Sequence, residues 1–380
     1  MRMLVLGAGL QGAACAWDLL RSKGVTRVTI ADLHTDRLPD FLKASRSDRL
    51  TVAQLDVNDH AAVRTLMQGH DAAMSALPYY FNGHMAALAV EGSCHFSDLG
   101  GNTEIVLEQK KLHDRARDGG LSIIPDCGLA PGMVNILAAE GIRRLDHAAR
   151  VKVYVGGLPQ HPEPPLNYQI VYSLEGALDY YTTPSWILRD GRPVQVDALS
   201  ELESVEFPAP VGTLEAFHTA GGISTLPFKY EGQVDVMEYK TLRYPGHVAV
   251  MRPIRELGLL ENTPIMVKGH QVVPRDVFIA AVHPKLHKPK GQDLVALLVK
   301  VSGTRAGAPH QVTFRLLDRY DATHGISAMM RATAFSLSIT GQMQADGRVT
   351  MKGVHTPDEA IPFTEYVREL GERGVRIEEL

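Results

Sequence analysis

The stretch Met3-Leu4-Val5-Leu6-Gly7-Ala8-Gly9-Leu10-Gln11-Gly12 decides the fold. Four apolar residues read as a buried strand, and the glycines after them have the form GxGxxG. A helix is predicted over Gln11–Lys23, with Gly24 expected as its left-handed cap. A second strand is predicted over Val28–Ala31, and Asp32 follows it, 20 residues after Gly12. Each part has a task on a dinucleotide. Gly7 permits the tight turn, Gly9 lets the backbone approach a pyrophosphate, and Gly12 lets the helix pack closely on the strand. The first residues of the helix, Leu10 and Gln11, offer free N–H groups and the positive end of the helix dipole to the phosphates. Asp32 is expected to accept hydrogen bonds from the ribose hydroxyls. Its charge favours NAD over NADP, because a carboxylate repels a 2′-phosphate, although Arg37 nearby works the other way.

Outward from this motif the alternation continues. Strands are predicted at Leu50–Leu55, Asp71–Ala76, Cys94–Asp98 and Ser122–Pro125. Helices are predicted between them at Ala61–Met67, with a cap at Asn58-Asp59, and at Gly83–Glu91 and Glu104–Arg117. This is the βαβ rhythm of a doubly wound parallel sheet, so residues 1–130 read as an NAD(P)-binding Rossmann domain of the α/β class. Ligands of such sheets sit at the carboxyl ends of the strands. Asp56 is therefore a candidate for the adenine amino group, and Ala76, Leu77 and Pro78 for the ribose and nicotinamide.

From Val151–Val155 onward strands dominate: Gln169–Tyr172, Glu203–Phe207, Val234–Leu242, Val295–Ser302 and Gln311–Leu317. Residues 131–325 read as an inserted, mainly antiparallel α+β domain. Helices predicted at Ser327–Thr340 and Thr364–Arg373 make residues 326–380 a segment that returns to the first domain.

Composition excludes several classes. The 380 residues are 45% hydrophobic and 22% charged, as in an ordinary folded protein. Lys plus Arg number 39 against 43 Asp plus Glu, so no basic excess serves a nucleic acid. Cys15, Cys94 and Cys127 are too few and too widely spaced for a disulfide framework, which suggests a reducing compartment. No apolar run has the length of a membrane span, and the cytoplasm is the expected location. The 16 histidines are read as forming no HxxxH or HxH pair, so no metal site is expected.

Several further stretches resemble the saccharopine dehydrogenase and lysine 6-dehydrogenase family. They are Phe96-Ser97-Asp98-Leu99-Gly100-Gly101-Asn102, Pro125-Asp126-Cys127-Gly128-Leu129-Ala130-Pro131-Gly132 and Tyr172-Ser173-Leu174-Glu175-Gly176. Gly221-Gly222-Ile223-Ser224-Thr225-Leu226-Pro227, Tyr239-Lys240-Thr241-Leu242-Arg243-Tyr244-Pro245-Gly246-His247 and Gly353-Val354-His355-Thr356-Pro357-Asp358-Glu359-Ala360 continue the series. The resemblance implies oxidation of a carbon–nitrogen bond in an amino acid, a small-molecule substrate, and a homodimer formed through the middle domain. The compact length and the Asp-Cys-Gly-Leu-Ala-Pro-Gly stretch look most like lysine 6-dehydrogenase. A saccharopine or carboxynorspermidine-type dehydrogenase is the alternative, and a non-catalytic NAD-binding sensor is an alternative of another class.

Such chemistry needs a proton acceptor near neutral pKa, because an ammonium cannot assist hydride departure. It also needs an arginine fork for a carboxylate and an acid for the α-ammonium. Lys240 and His247 are candidate proton shuttles, and Asp98 and Asp126 are expected beside the nicotinamide. Arg243 is the candidate carboxylate clamp. Glu175 is a candidate partner of the ammonium, Ser224 and Thr225 of a carboxylate, and Tyr79 a lining residue. The alternative of a reductive amine coupling requires more cations in the cleft, for which Arg252 and Arg255 are candidates. Cys127 as a nucleophile is rejected, since hydride transfer needs no thiol.

Overall fold

The computed structural model describes residues 1–45 and 47–380. Its first sheet has seven strands, all parallel. Their spatial order is Gly353–Val354, Ser122–Ile124, His95–Asp98, Ala72–Ser75, Arg2–Leu6, Arg27–Asp32 and Leu50–Gln54. Met3, Leu4, Val5 and Leu6 are fully buried, as a strand covered on both faces requires. The chain order reverses between Arg2–Leu6 and Ala72–Ser75, which leaves a crevice at their carboxyl ends.

The helix Leu10–Arg21 starts at the glycine motif. Its small residues Gly12, Ala13, Ala14 and Ala16 are buried, and the helix packs on Ala328–Ala345. Asp18 secures that contact. It is buried, and its carboxylate accepts from Arg373 at 2.8 Å and from Ser338 at 2.6 Å. The late segment also supplies Gly353–Val354, paired parallel to Ser122–Ile124.

The second sheet has nine strands. Its main path runs Glu203–Phe207, Gly212–His218, Val236–Arg243, His147–Pro159, Asp293–Arg305, Ala308–Arg319 and Glu378–Glu379. The hairpin Ser185–Arg189 and Arg192–Val196 joins at Val236–Arg243. All pairs are antiparallel except Val236–Arg243 with His147–Pro159. The helices Met133–Arg143 and Ala328–Ala345 pack against this sheet, so one apolar core joins it to the first.

Three local expectations are corrected. Gln169–Tyr172 carries no strand; it is an irregular stretch whose Ile170 amide bonds the Leu286 carbonyl at 3.0 Å. Glu104–Arg117 is two helices, Thr103–Lys110 and His113–Asp118. Gly24 is not left-handed, because the first helix ends at Arg21 and Ser22 leaves it in an extended conformation. Asp59 does cap its helix, accepting from the Ala62 amide at 3.0 Å.

Candidate functional site

The glycine turn has the shape a diphosphate needs. Gly7 sits at φ +94°, where a side chain is strained, and a Cβ on Gly12 would run into the Gly7 carbonyl. Gly9 faces open space, and no side chain caps the helix that begins there. Its first amides are thus free for a ligand. Leu10 is half exposed beside them, and the Oε1 atom of Gln11 is buried with no partner. Ala76 packs against Gly7 from the neighbouring strand. These residues fit a dinucleotide.

Asp32 behaves otherwise than its charge suggested. One carboxylate oxygen accepts from the Ala8 amide at 2.6 Å and the other from the His34 amide at 2.8 Å. The side chain braces the glycine turn, and the exposed turn Thr35–Arg37 comes next. Asp56 is exposed, and its Oδ1 accepts from the Asn58 amide and side chain, both at 2.9 Å.

A cavity of about 280 Å³ lies between the two sheets. Gln11 and Leu77 line it from the first, Gly100 from the turn after His95–Asp98, and Tyr239, Thr241 and Arg243 from the second. Strand geometry selects that last trio: alternate residues point to one face. Arg243 is buried, and its Nε donates to the Tyr181 hydroxyl at 3.2 Å and its Nη1 to the Leu242 carbonyl at 2.8 Å. The guanidinium lies 4.8 Å above the Tyr168 ring. No carboxylate among the described residues pairs with it, so a buried cation waits for an anion.

The alternation that points Arg243 inward points Lys240 away. The Lys240 ammonium donates to Glu203 at 2.7 Å and to the Glu201 carbonyl at 2.8 Å. His247 is buried at the start of the helix His247–Glu256. Its Nδ1 donates to the Leu166 carbonyl at 3.1 Å and its Nε2 accepts from the Tyr181 hydroxyl at 3.0 Å. Burial, and then the charge of Arg243, push its pKa down to about 3. A ring held neutral and doubly bonded is a brace for Tyr181, and through it for Arg243.

Asp98 and Asp126 lie together under the carboxyl edge. Asp98 is fully buried and accepts from the Gly100 amide at 2.7 Å and the Gln109 amide group at 2.7 Å. Burial pushes its pKa up to about 6. Asp126 is buried with neither oxygen hydrogen-bonded, and burial, with the Asp98 charge behind it, pushes its pKa up to about 7. Gly100, which lines the cavity, rests on this carboxylate; a Cβ there would overlap Oδ1. The glycine therefore sits between this acid and the cavity.

The other candidates are dispersed. Ser224 lines a neighbouring cavity of about 220 Å³, and Thr225 is buried at the start of the helix Leu226–Lys229. Glu175 lies exposed in the first turn of Leu174–Thr182, bonded to Ser173, which is the actual cap. Tyr79 packs beside Gly101 at the rim, after the exposed Pro78. Arg252 and Arg255 bond the carbonyls of Leu199 and Ala198 and do not line the cavity. Burial raises the Cys127 thiol well above its ordinary range. The reading that no HxxxH pair exists is also corrected. His283 and His287 stand four apart, their rings stacked at 5.2 Å. Glu201, His218 and Glu238 bring their ligand atoms within 4.8 Å of one another, but Arg189 and Lys152 already pair with the two acids. Tyr180 and Tyr181 were missed altogether, and Tyr172 and Tyr239 stood in quoted stretches without a role at the cavity. The alternation 239, 241, 243 was the signal for the last of them.

Residues 3–124 match the saccharopine dehydrogenase NADP binding domain and residues 128–375 the saccharopine dehydrogenase C-terminal domain. The NADP(+)-dependent, L-glutamate-forming saccharopine dehydrogenase of Pyricularia oryzae is 28% identical over 271 residues, which are 68% of this chain and 58% of that protein. The mitochondrial alpha-aminoadipic semialdehyde synthase of Mus musculus is 27% identical over 274 residues, 69% of this chain and 28% of its own length. This chain thus spans little more than half of the first relative and about a quarter of the second. The apo structure of the L-Glu-forming saccharopine dehydrogenase of Saccharomyces cerevisiae shares the fold, with a TM-score of 0.81 at 19% identity over 100% of this chain and 99% of that one. The preference for NAD drawn from Asp32 is overturned: the matching domain family binds NADP, and the Pyricularia relative is named for NADP(+). The physical reason is that Asp32 is engaged with two backbone amides. With both halves matched and the glycine turn and Arg243 meeting at one cavity, the chain belongs to the saccharopine dehydrogenase family.

Proposed function

We propose that this chain is an NADP-dependent oxidoreductase of the saccharopine dehydrogenase type, acting on a carbon–nitrogen bond of an amino acid. One observation carries the reading: the unpaired, buried Arg243 faces the cavity that Gln11 and Leu77 line from the nucleotide side. Its fork takes the substrate carboxylate bidentately. Tyr181 and His247 hold the fork in place. Arg37, in the exposed turn after Asp32, is the cation for the 2′-phosphate. The nicotinamide, when bound, accepts or returns hydride. The chain supplies the proton transfer: Asp126, near neutral pKa beneath Gly100, takes the amine proton so that the lone pair assists hydride loss. The tyrosines and Leu77 exclude bulk water.

A second reading, lysine 6-dehydrogenase, is favoured by the cation count. Arg243 alone among the lining residues is cationic, which suits a substrate with one carboxylate. The experiment is direct. The purified protein is mixed with NADP and, separately, saccharopine, L-lysine or ornithine, and absorbance of the reduced cofactor is followed. Turnover of saccharopine over lysine supports the first reading and the reverse order the second. Binding of the cofactor with silence on all three overturns both.

A further inference from the structure

We infer that the cavity of about 220 Å³ beside Trp186 is the proton exit of the reaction, with Ser224 passing protons between Asp126 and water held there. The inference rests on the proposed role of Asp126 as proton acceptor.

Two buried polar groups lack partners at this place. By hydrogen-bond geometry neither carboxylate oxygen of Asp126 nor the buried Ser224 Oγ has a partner, yet the Ser224 hydroxyl lies close enough to hold the Asp126 pKa down. Leaving such groups dry is costly, because neither has exchanged its bond to water for another. Both backbones are also left-handed, at φ +63° for Asp126 and φ +47° for Ser224, which residues other than glycine adopt at a cost. The surrounding fold therefore holds both in place. Ser224 lines the second cavity, which has room for several waters and polar walls from Thr183, Ser185 and Gln195. The partition is thin: Ala220 lines both cavities, and Gly100 and Gly101 face one each. Other directions are closed. Asp98 is committed to Gly100 and Gln109, the Cys127 thiol donates to the Ile124 carbonyl, and the Tyr180 ring covers Gly221. The groups whose charge bears on Asp126 are Asp98, Asp358, Tyr180 and Cys127.

The transfer balances. In the oxidative direction a proton on the substrate nitrogen moves to an Asp126 oxygen and frees the lone pair; the hydride acceptor would be the oxidised nicotinamide, were it bound. The new carboxyl O–H then protonates Ser224 Oγ as the Ser224 hydroxyl proton passes to a cavity water.

The test combines a titration with turnover. Difference infrared spectroscopy follows the carboxyl stretch that Asp126→Asn removes, in the wild type and in Ser224→Ala, Ser224→Gly and Ser224→Thr. Ser224→Gly also relieves the backbone, which covers a folding failure of Ser224→Ala. The expected result is a raised Asp126 midpoint and about a tenfold lower kcat in Ser224→Ala and Ser224→Gly, both restored in Ser224→Thr, with cofactor KM unmoved. An unmoved midpoint overturns the inference, and so does a moved midpoint with unchanged kcat. If the midpoint moves and the wild type turns over none of the amines, the functional reading fails while the Asp126–Ser224 link stands.

Discussion

The two faces of the strand Val236–Arg243 carry buried cations in opposite circumstances. On one, Lys240 sits among Glu203, Glu201, Glu238, His218 and Lys152, each charge answered within 4 Å. On the other, Arg243 is as deeply buried and has only hydroxyl, carbonyl and aromatic neighbours. Removing an ion from water is costly, and a cation left without a counter-ion is kept only where something else supplies one. A compensated cluster fits an architectural role; an uncompensated cation beside a cavity supports the binding role proposed for Arg243. A similar contrast separates Asp98, whose oxygens are taken, from Asp126, whose oxygens are free.

These contrasts can be broken by substitution, and the largest effect is expected at the free acid. Asp126→Asn should lower kcat by about a hundred- to ten-thousandfold while cofactor binding holds, in steady-state assays and cofactor titration. In the wild type, oxidative kcat should rise as pH climbs through about 7, because the acid must be ionised to accept a proton. Next comes the free cation. Arg243→Met should cost roughly 2–5 kcal/mol of kcat/KM, about thirty- to several-thousandfold, mostly through KM for the amino acid. Lys240→Met, on the compensated face, should leave kcat/KM within about threefold. It should lower stability in urea by about 1–3 kcal/mol, a figure discounted because Glu203 is about one-third exposed. A Lys240→Met enzyme crippled in kcat but fully stable would reverse the comparison.

At neutral pH the smallest effect is at the brace, whose contribution shows only on acidification. His247 has a folded pKa of about 3, below the ordinary histidine value of 6.5. Its unfolded form therefore binds the extra proton first, so its contribution to stability is complete above about 6.5 and is lost as pH falls towards 3. Replacing it by Gln should flatten the urea midpoint across that window. An unchanged slope would show the ring to be protonated in the folded state.

Much of the first sheet was legible because most of its strands are short, largely apolar runs closed or soon followed by glycine or an acid, and buried parallel strands need little else. Asp32 shows the limit of that reading. Its position at the end of a strand was evident, but whether its carboxylate faces ribose or the Ala8 amide depends on backbone geometry that spacing does not encode. Lys240, Arg243 and His247 were grouped by nearness in sequence, whereas a strand followed by a helix sends the three side chains to three environments. Gln169–Tyr172 misled because Ile170, Val171 and Tyr172 are apolar for another reason: Val171 packs into the core and Tyr172 walls the cavity. Tyr180 and Tyr181 lie on a helix whose partners come from distant segments, and nothing local marks them.

The pairing of Gly353–Val354 beside Ser122–Ile124 has a consequence for synthesis. On the ribosome, the nucleotide half emerges early yet keeps a bare backbone edge until more than two hundred further residues have been translated. The nascent half must wait with that edge open while the middle region assembles, so its last rung is added only when the tail arrives.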